Sequence, residues 1–192
     1  MLATRNKGKI REIKELFQDL SLTIISLLDL ESYPEIEETA YTMKENSLYK
    51  ARIIFGFTRK LTVADDSGLE IDFLNGAPGV YSSRFLGDMS YSEKNQKILQ
   101  MMKGVPQSQR GALFRCMASL VWNDIEKTFE GICQGTIVEE VQGTEGFGYD
   151  PIFKPLGKNR TFAMMPLEEK NKISHRSQAF NLVKRHITQI LK

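Results

Sequence analysis

No stretch of this sequence approaches the ~20 consecutive apolar residues that span a bilayer, so no membrane-crossing helix is expected. An excess of one charge is also missing: Lys+Arg number 26 and Asp+Glu 24, a formal net charge of +2. That excludes the bulk basic field with which many proteins grip nucleic acid. An anionic ligand would have to be held by local groups of Lys, Arg and backbone N–H. Cysteine and histidine are scarce, two of each. Cys116 and Cys133 fit no zinc spacing and make no ligand cluster with His175 and His186, which leaves buried reduced thiols as the expectation. The opening MLATRNKGKIRE has no apolar core of the signal-peptide kind and turns charged at Arg5, so a cytoplasmic location is expected. Internal repeats, low-complexity tracts and Gly/Ser linkers are absent. The 192 residues therefore suit one two-lobed domain over 1–192.

What is present alternates between helical and strand-like patterns, which points to an α/β fold. GKIREIKELFQDL places Ile10, Ile13, Leu16, Phe17 and Leu20 on one helical stripe. LTIISLL (22–28) is β-branched and apolar and reads as a buried strand. TMKE (42–45) and SYSE (90–93) have the form of capping boxes, predicting helices to about Phe57 and about Met102. LTVA (61–64) and LEIDFL (69–74) read as two strands, the second closed by Asn75-Gly76. ALFRCMASLVW (112–122) alternates with one buried face, and TFEGICQG and TIVEEV continue as strands. Ser174 is positioned to cap a last helix with Ala179, Val183, Ile187, Ile190 and Leu191 inward. The sum is a mixed β-sheet flanked by helices, with two lobes and a central cleft.

Four stretches carry chemistry. ATRNKGK (3–9) puts a hydroxyl, an amide and three cations at a strand-to-helix junction, where exposed N–H groups attract anions. The spacing is not that of a Walker loop. EIEET (35–39) offers Glu35, Glu37 and Glu38 to a hard cation, which takes one or two carboxylates and leans on substrate phosphates. TVADDSG (62–68) reads as a strand ending in Asp65-Asp66, delivering carboxylates to the sheet edge where α/β folds bind ligands. A turn needs only one aspartate; two fit a divalent metal, or a pair whose pKa values are driven apart. The last constellation is GTEGFGYDP (143–151) with EEKNKISHRSQ (168–178). Here an aromatic in a Gly-rich loop can stack on a base, and His175-Arg176 at a helix start can donate to a carbonyl. Each stretch has an ordinary alternative as a solvated loop, a polar turn or core. Together they make an inventory for a nucleoside triphosphate.

The segments LATRNKGKIREI, EETAYTMKENSLYKA, ADDSGLEIDFLNGAPGVYSSRF, GTEGFGYDPIF and EEKNKISHRSQAF resemble the inosine/xanthosine triphosphate pyrophosphatase family, over residues 2 to about 183. The resemblance implies an elongated fold, Mg²⁺ as cofactor, a homodimer, and conversion of ITP, dITP or XTP to the monophosphate and pyrophosphate. It implies triphosphate contacts from the Thr4, Arg5, Asn6, Lys7, Gly8 and Lys9 segment and from Lys50. Metal ligation falls to Glu37 (or its neighbour Glu38) and to Asp66, which is also the general base. The nucleoside pocket is implied to be Ser67, Phe147, Gly148, Tyr149, Asp150, Lys170, His175 and Arg176. Arg5 and Glu145 depart from the family pattern, which often has a small or amide residue and a glycine there. Enzymes acting on modified pyrimidine triphosphates, and a non-catalytic nucleotide binder, are the rival readings.

Overall fold

The computed structural model describes residues 1–191. It is a mixed α/β fold with a four-stranded sheet of order β1-β2-β3-β4. The strands are β1 (Thr62–Ile71), β2 (Gly111–Trp122), β3 (Ile125–Ile137) and β4 (Phe153–Pro155). The helices are α1 (Lys7–Leu16), α2 (Met43–Thr58), α3 (Tyr91–Met101), α4 (Leu167–Lys170) and α5 (His175–Ile190). Only two residues separate β2 from β3, with Asn123 at φ 50° in the turn, which is hairpin geometry. β3 runs antiparallel to β4, pairing Gly135 with Pro155 and Ile137 with Phe153.

The chain forms two compact units. Unit 1 comprises Met1–Ser67, Cys116–Gly131 and the chain from His175; unit 2 comprises Gly68–Arg115 and Ile132–Ser174. In unit 1 the stripe read from the sequence is the buried face of α1, with Ile10, Ile13 and Phe17 in the core. It packs on α5, where Phe17 meets Phe180 edge-to-face at 6.2 Å. Leu2 makes single parallel bridges to Ser26 and Val63. In unit 2 the Phe114, Phe153 and Phe162 rings form the centre of the core. The Arg110 guanidinium there donates to the carbonyls of Met102, Ile137 and Val138, so the buried cation leaves no carbonyl among those three unmet.

Three expectations are corrected. Residues 22–28 form no strand: Leu22 and Leu28 are exposed, and only Ser26 bridges. The Ser26 N–H and hydroxyl both donate to Asp29 at 2.7 Å, and this local bonding competes with a ladder and turns the chain into a short 3₁₀ segment at Leu27–Asp29. The two strands expected around Asp65-Asp66 are one, β1, so the aspartates lie within a strand rather than at its end. TIVEEV stops pairing at Ile137. Of the two capping boxes, Ser90–Glu93 closes in both directions. At the other, Thr42 accepts the Glu45 N–H but meets the Glu45 carboxylate with its hydroxyl.

Candidate active site

The site in unit 1 is built on the alternation of β1. Successive side chains of a strand point to opposite faces, so adjacency in sequence separates the Asp65 and Asp66 carboxylates. Their neighbours differ accordingly. Asp65 Oδ2 receives Lys9 Nζ at 2.9 Å, the Ser67 hydroxyl at 2.8 Å and the Arg176 Nε and NH2 groups at 3.4 Å. Asp66 meets α2 instead: Asn46 Nδ2 donates to Oδ2 at 2.9 Å, and the Ser67 N–H to Oδ1 at 2.9 Å.

The cations come from three helices. Asn6 caps α1, its Oδ1 accepting the Lys9 N–H at 3.0 Å, and Thr4 Oγ1 accepts the Asn6 N–H at 3.2 Å. The expected ligand side chains of Thr4 and Asn6 are thus engaged in ordering the loop that aims Lys9. Arg5 and Lys7 are exposed, and Arg5 lies 5.9 Å from the Tyr33 ring centroid. From α2, Lys50 Nζ donates to the Asp65 carbonyl at 2.7 Å and to Glu38 at 2.5 Å. Arg176, in the first turn of α5, pairs with buried Glu12 of α1 at 2.6 Å as well as with Asp65. Gly131 makes room for that turn: a Cβ there would stand 2.1 Å from the His175 carbonyl oxygen. His175 is buried as the first residue of α5.

The two aspartates have opposite electrostatics. Burial would raise Asp65, but Lys9, Arg176 and Lys50 outweigh it and hold the carboxyl well below the usual carboxylate range. Its Oδ1 remains buried without a hydrogen-bond partner. Asp66 is raised, first by burial and then by Glu38, against the opposing pull of Lys50. Lys9 is raised too: burial would lower it, and Asp65 outweighs that. Cys116 lies 3.9 Å from Asp65 Oδ2. Burial, followed by the Asp65 charge, pushes its thiol up to about 12, so it is protonated and inert at neutral pH.

Asp66 and Glu38 are the residues that could hold a metal. Glu37 is exposed, whereas Glu38 is half-buried against Lys50, so of the two left open by the sequence Glu38 is the one brought into the cluster. Among the described residues no group of three or more His, Cys, Asp or Glu could enclose an ion. Two carboxylates, the Glu38 charge raising the proton affinity of Asp66, nevertheless suit Mg²⁺, which keeps waters and completes its shell with substrate phosphates.

In unit 2, buried Asp150 Oδ2 accepts Lys170 Nζ at 2.5 Å and the Phe147 N–H at 2.9 Å. Lys170 Nζ also stands 4.9 Å from the Phe147 ring centroid and 5.2 Å from that of Phe162. Gly148 offers its carbonyl to Asn95 at 3.0 Å. Tyr149 is core: its hydroxyl donates to the Ser82 carbonyl at 2.8 Å, and its ring meets Tyr91 edge-to-face. Glu145 is exposed. Gly146 has φ 73°, and a Cβ there would lie 2.1 Å from Asp150 Oδ2. Gly146→Ala should therefore push Asp150 off Lys170 and add left-handed strain of ~1–2 kcal/mol. A urea melt should show the midpoint falling with an unchanged m-value; an unaltered midpoint would mean that the loop yields without cost.

Sequence reasoning missed Glu12 and Asn46. Asn46 left a signal, since it precedes Lys50 by one helical turn, which puts both on the same side of α2; Glu12 left none, since 3.6-residue periodicity places it off the apolar stripe of α1. A separate cavity of about 400 Å³ in unit 1, lined by Leu2, Phe17, Ile24, Leu61, Trp122 and Ile187 among others, contains no carboxylate and none of the groups above.

Comparison with known proteins gives a consistent picture. The model of the Ham1 family matches residues 1–186. The dITP/XTP pyrophosphatase of Bacillus licheniformis is 45% identical over 181 residues, covering 93% of this chain and 92% of the relative. That of Geobacter sulfurreducens is 44% identical over 189 residues, covering 97% and 95%. Among solved structures, a HAM1 protein from Coxiella burnetii superposes with a TM-score of 0.87 at 40% identity, covering 98% of this chain and 97% of that one. The Staphylococcus aureus Ham1 protein does so with a TM-score of 0.85 at 36% identity, covering the same shares.

Proposed function

This chain belongs to the Ham1 family, and from that premise we propose that it hydrolyses ITP, dITP and XTP to the monophosphate and pyrophosphate, clearing deaminated purines from the nucleotide pool. The observation that carries the reading is the unlike pair on β1. Asp65 is paired through Oδ2 with Lys9 and Arg176, while Asp66, of raised proton affinity, sits by Glu38 and Lys50. A binder has no need of the second, protonatable carboxylate; a hydrolase does.

In this reading a water oxygen attacks the α-phosphorus and its proton passes to the Asp66 carboxylate. The α–β phosphoanhydride P–O bond breaks, and pyrophosphate leaves with the electron pair. A raised pKa makes Asp66 the better proton acceptor. Lys9, the N-terminus of α1 and Lys50 offset the charge of the triphosphate, as phosphoryl transfer requires positioning and electrostatics above all. Mg²⁺, held by Asp66 and Glu38, would supply further positive charge to the phosphate oxygens. Asp65 organises the cations and is not the base. In unit 2, Phe147 with its flanking glycines is assigned to the purine, where backbone donors suit the 6-carbonyl of hypoxanthine and xanthine and meet a donor in adenine. With Arg176 engaged by Glu12 and Asp65, we assign it to holding Asp65 in place. A homodimer in the cytoplasm completes the proposal; no helix among the described residues is long and apolar enough to cross a membrane.

The test is pyrophosphate release from ITP, dITP, XTP, ATP, GTP, dTTP and UTP, with Mg²⁺ or with EDTA. Release from the first three, abolished by EDTA and restored by Mg²⁺, is expected. Tight ITP binding without pyrophosphate would make the protein a binder. Preference for dTTP or UTP would place its substrates among pyrimidines, and orthophosphate as the product would move the attack to the γ-phosphorus.

A further inference from the structure

We propose that Asn46 is a positioning residue of this reaction, one that sets the orientation of the Asp66 carboxylate and its spacing from the loop bearing Glu38. The inference rests on the assignment of Asp66 to the reacting centre. Asn46 is 1% exposed in the first turn of α2. Its Nδ2 donates to Asp66 Oδ2 at 2.9 Å, and its Oδ1 accepts the Ala40 N–H at 3.0 Å. The two partners fix the amide without ambiguity: a backbone N–H can only donate, and an ionised carboxylate can only accept.

The consequence is geometric. Asp66 Oδ1 is already held by the Ser67 N–H at 2.9 Å, so the Asn46 bond removes the remaining rotation of the carboxylate. Ala40 stands two residues beyond Glu38, and its tie to the same amide anchors the 35–40 connector to α2. One side chain therefore links the Asp66 carboxylate to the backbone two residues beyond Glu38. No other common side chain fills this role at this length: aspartate keeps the acceptor for Ala40 but loses the donor, alanine loses both, and glutamine is one methylene too long. The helix itself is anchored elsewhere, through a buried hydroxyl chain in which Ser47 and Ser119 lie 2.8 Å apart, and Ser119 and Thr128 2.8 Å apart. Loss of the Asn46 amide therefore leaves α2 docked.

The experiment compares Asn46→Ala and Asn46→Asp with the parent protein in two assays. The first is steady-state pyrophosphate release from ITP. The second is Mn²⁺ binding to the nucleotide-free protein, read from the free-ion signal in electron paramagnetic resonance. Outer partners of metal ligands are typically worth ~10–100-fold in affinity or activity. For Asn46→Ala we expect kcat to fall by ~10–100-fold with KM within about threefold, and Mn²⁺ affinity to fall by ~10-fold or more. Asn46→Asp should lose kcat in the same range yet bind Mn²⁺ at least as tightly as the parent, because it places a third carboxylate beside Asp66 and Glu38. That opposition of metal affinity and turnover has no counterpart in a merely structural role. Parent-like kcat in either variant overturns the proposal, as does Asn46→Asp losing Mn²⁺ and activity together. If the parent releases no pyrophosphate from any nucleotide, the enzymatic reading fails, while the Mn²⁺ arm still decides whether Asn46 orders the carboxylates.

Discussion

Asp66→Asn leaves the protein folded and lowers kcat for pyrophosphate release by about 10²–10⁴-fold, the usual worth of a positioned general base. The amide has the shape of the carboxylate and still accepts the Ser67 N–H through its oxygen, but its NH2 group then faces the Asn46 NH2, two donors where the carboxylate accepted one bond. It cannot take a proton from water at any working pH, and it removes one of the two carboxylates assigned to the cation. The change also relieves a buried charge that burial and Glu38 disfavour, which offsets the cost of the lost Asn46 bond, ~1–3 kcal/mol for a buried donor left unmet, so any fall in stability should be small. Thermal melts should show a midpoint close to that of the parent, while the rate collapses. Near-parental turnover would remove Asp66 from the chemistry. A collapse of both rate and midpoint would show that it holds the fold.

Asp65→Asn has the opposite signature, a large loss of stability. Asp65 is 1% exposed and Arg176 2%, and removing one partner of a buried ion pair typically costs ~3–5 kcal/mol because the other charge is left behind. The lower end, about 3 kcal/mol, is expected here, since Arg176 keeps Glu12 and Lys9 is partly exposed. For a chain of this size that corresponds to a fall of roughly 6–12 °C in Tm. The pH dependence identifies the cause. The Asp65 pKa is depressed in the folded protein, so its stabilisation is complete above the unfolded value of ~3.9 and is lost as pH falls below it. The Lys9 pKa is raised, so its share is complete below the unfolded value of ~10.4 and is lost as pH climbs beyond the folded one. The gap between parent and variant should be widest around pH 5–9 and close towards acid. A gap that widened on acidification would mean that the cations near Asp65 do not stabilise it.

These two predictions separate residues that the sequence presents as a pair, and that separation marks the limit of what could be read from it. The stripe of α1, the alternation of β2, the capping residues Ser90 and Thr42, and the last helix from His175 were all legible, because they depend on local periodicity and on hydrogen bonds a few residues apart. The strand expected at Leu22–Leu28 and the break expected after Asp65-Asp66 failed for different reasons. At the first, a bond three residues long wins over β-branched preference, Asp29 capturing Ser26; at the second, contacts distant in sequence override the turn preference of acidic residues, since cations from three helices permit two aspartates inside a strand. Glu38 could not be told from Glu37 by composition, since both are glutamates in a polar connector. Asn46 was visible only as a polar residue one turn from Lys50, and Glu12, off the apolar stripe of α1, gave no local sign of its burial.

The linear chain already settled the α/β class, the helical and strand periodicities, and the set of residue types fit for a nucleoside triphosphate, because these are properties of spacing and chemistry. Which carboxylate is charged and which is protonatable arose in three dimensions. A pKa depends on burial and on the cations within a few ångströms, and Lys9, Lys50 and Arg176 reach Asp65 from positions 15 to 111 residues away.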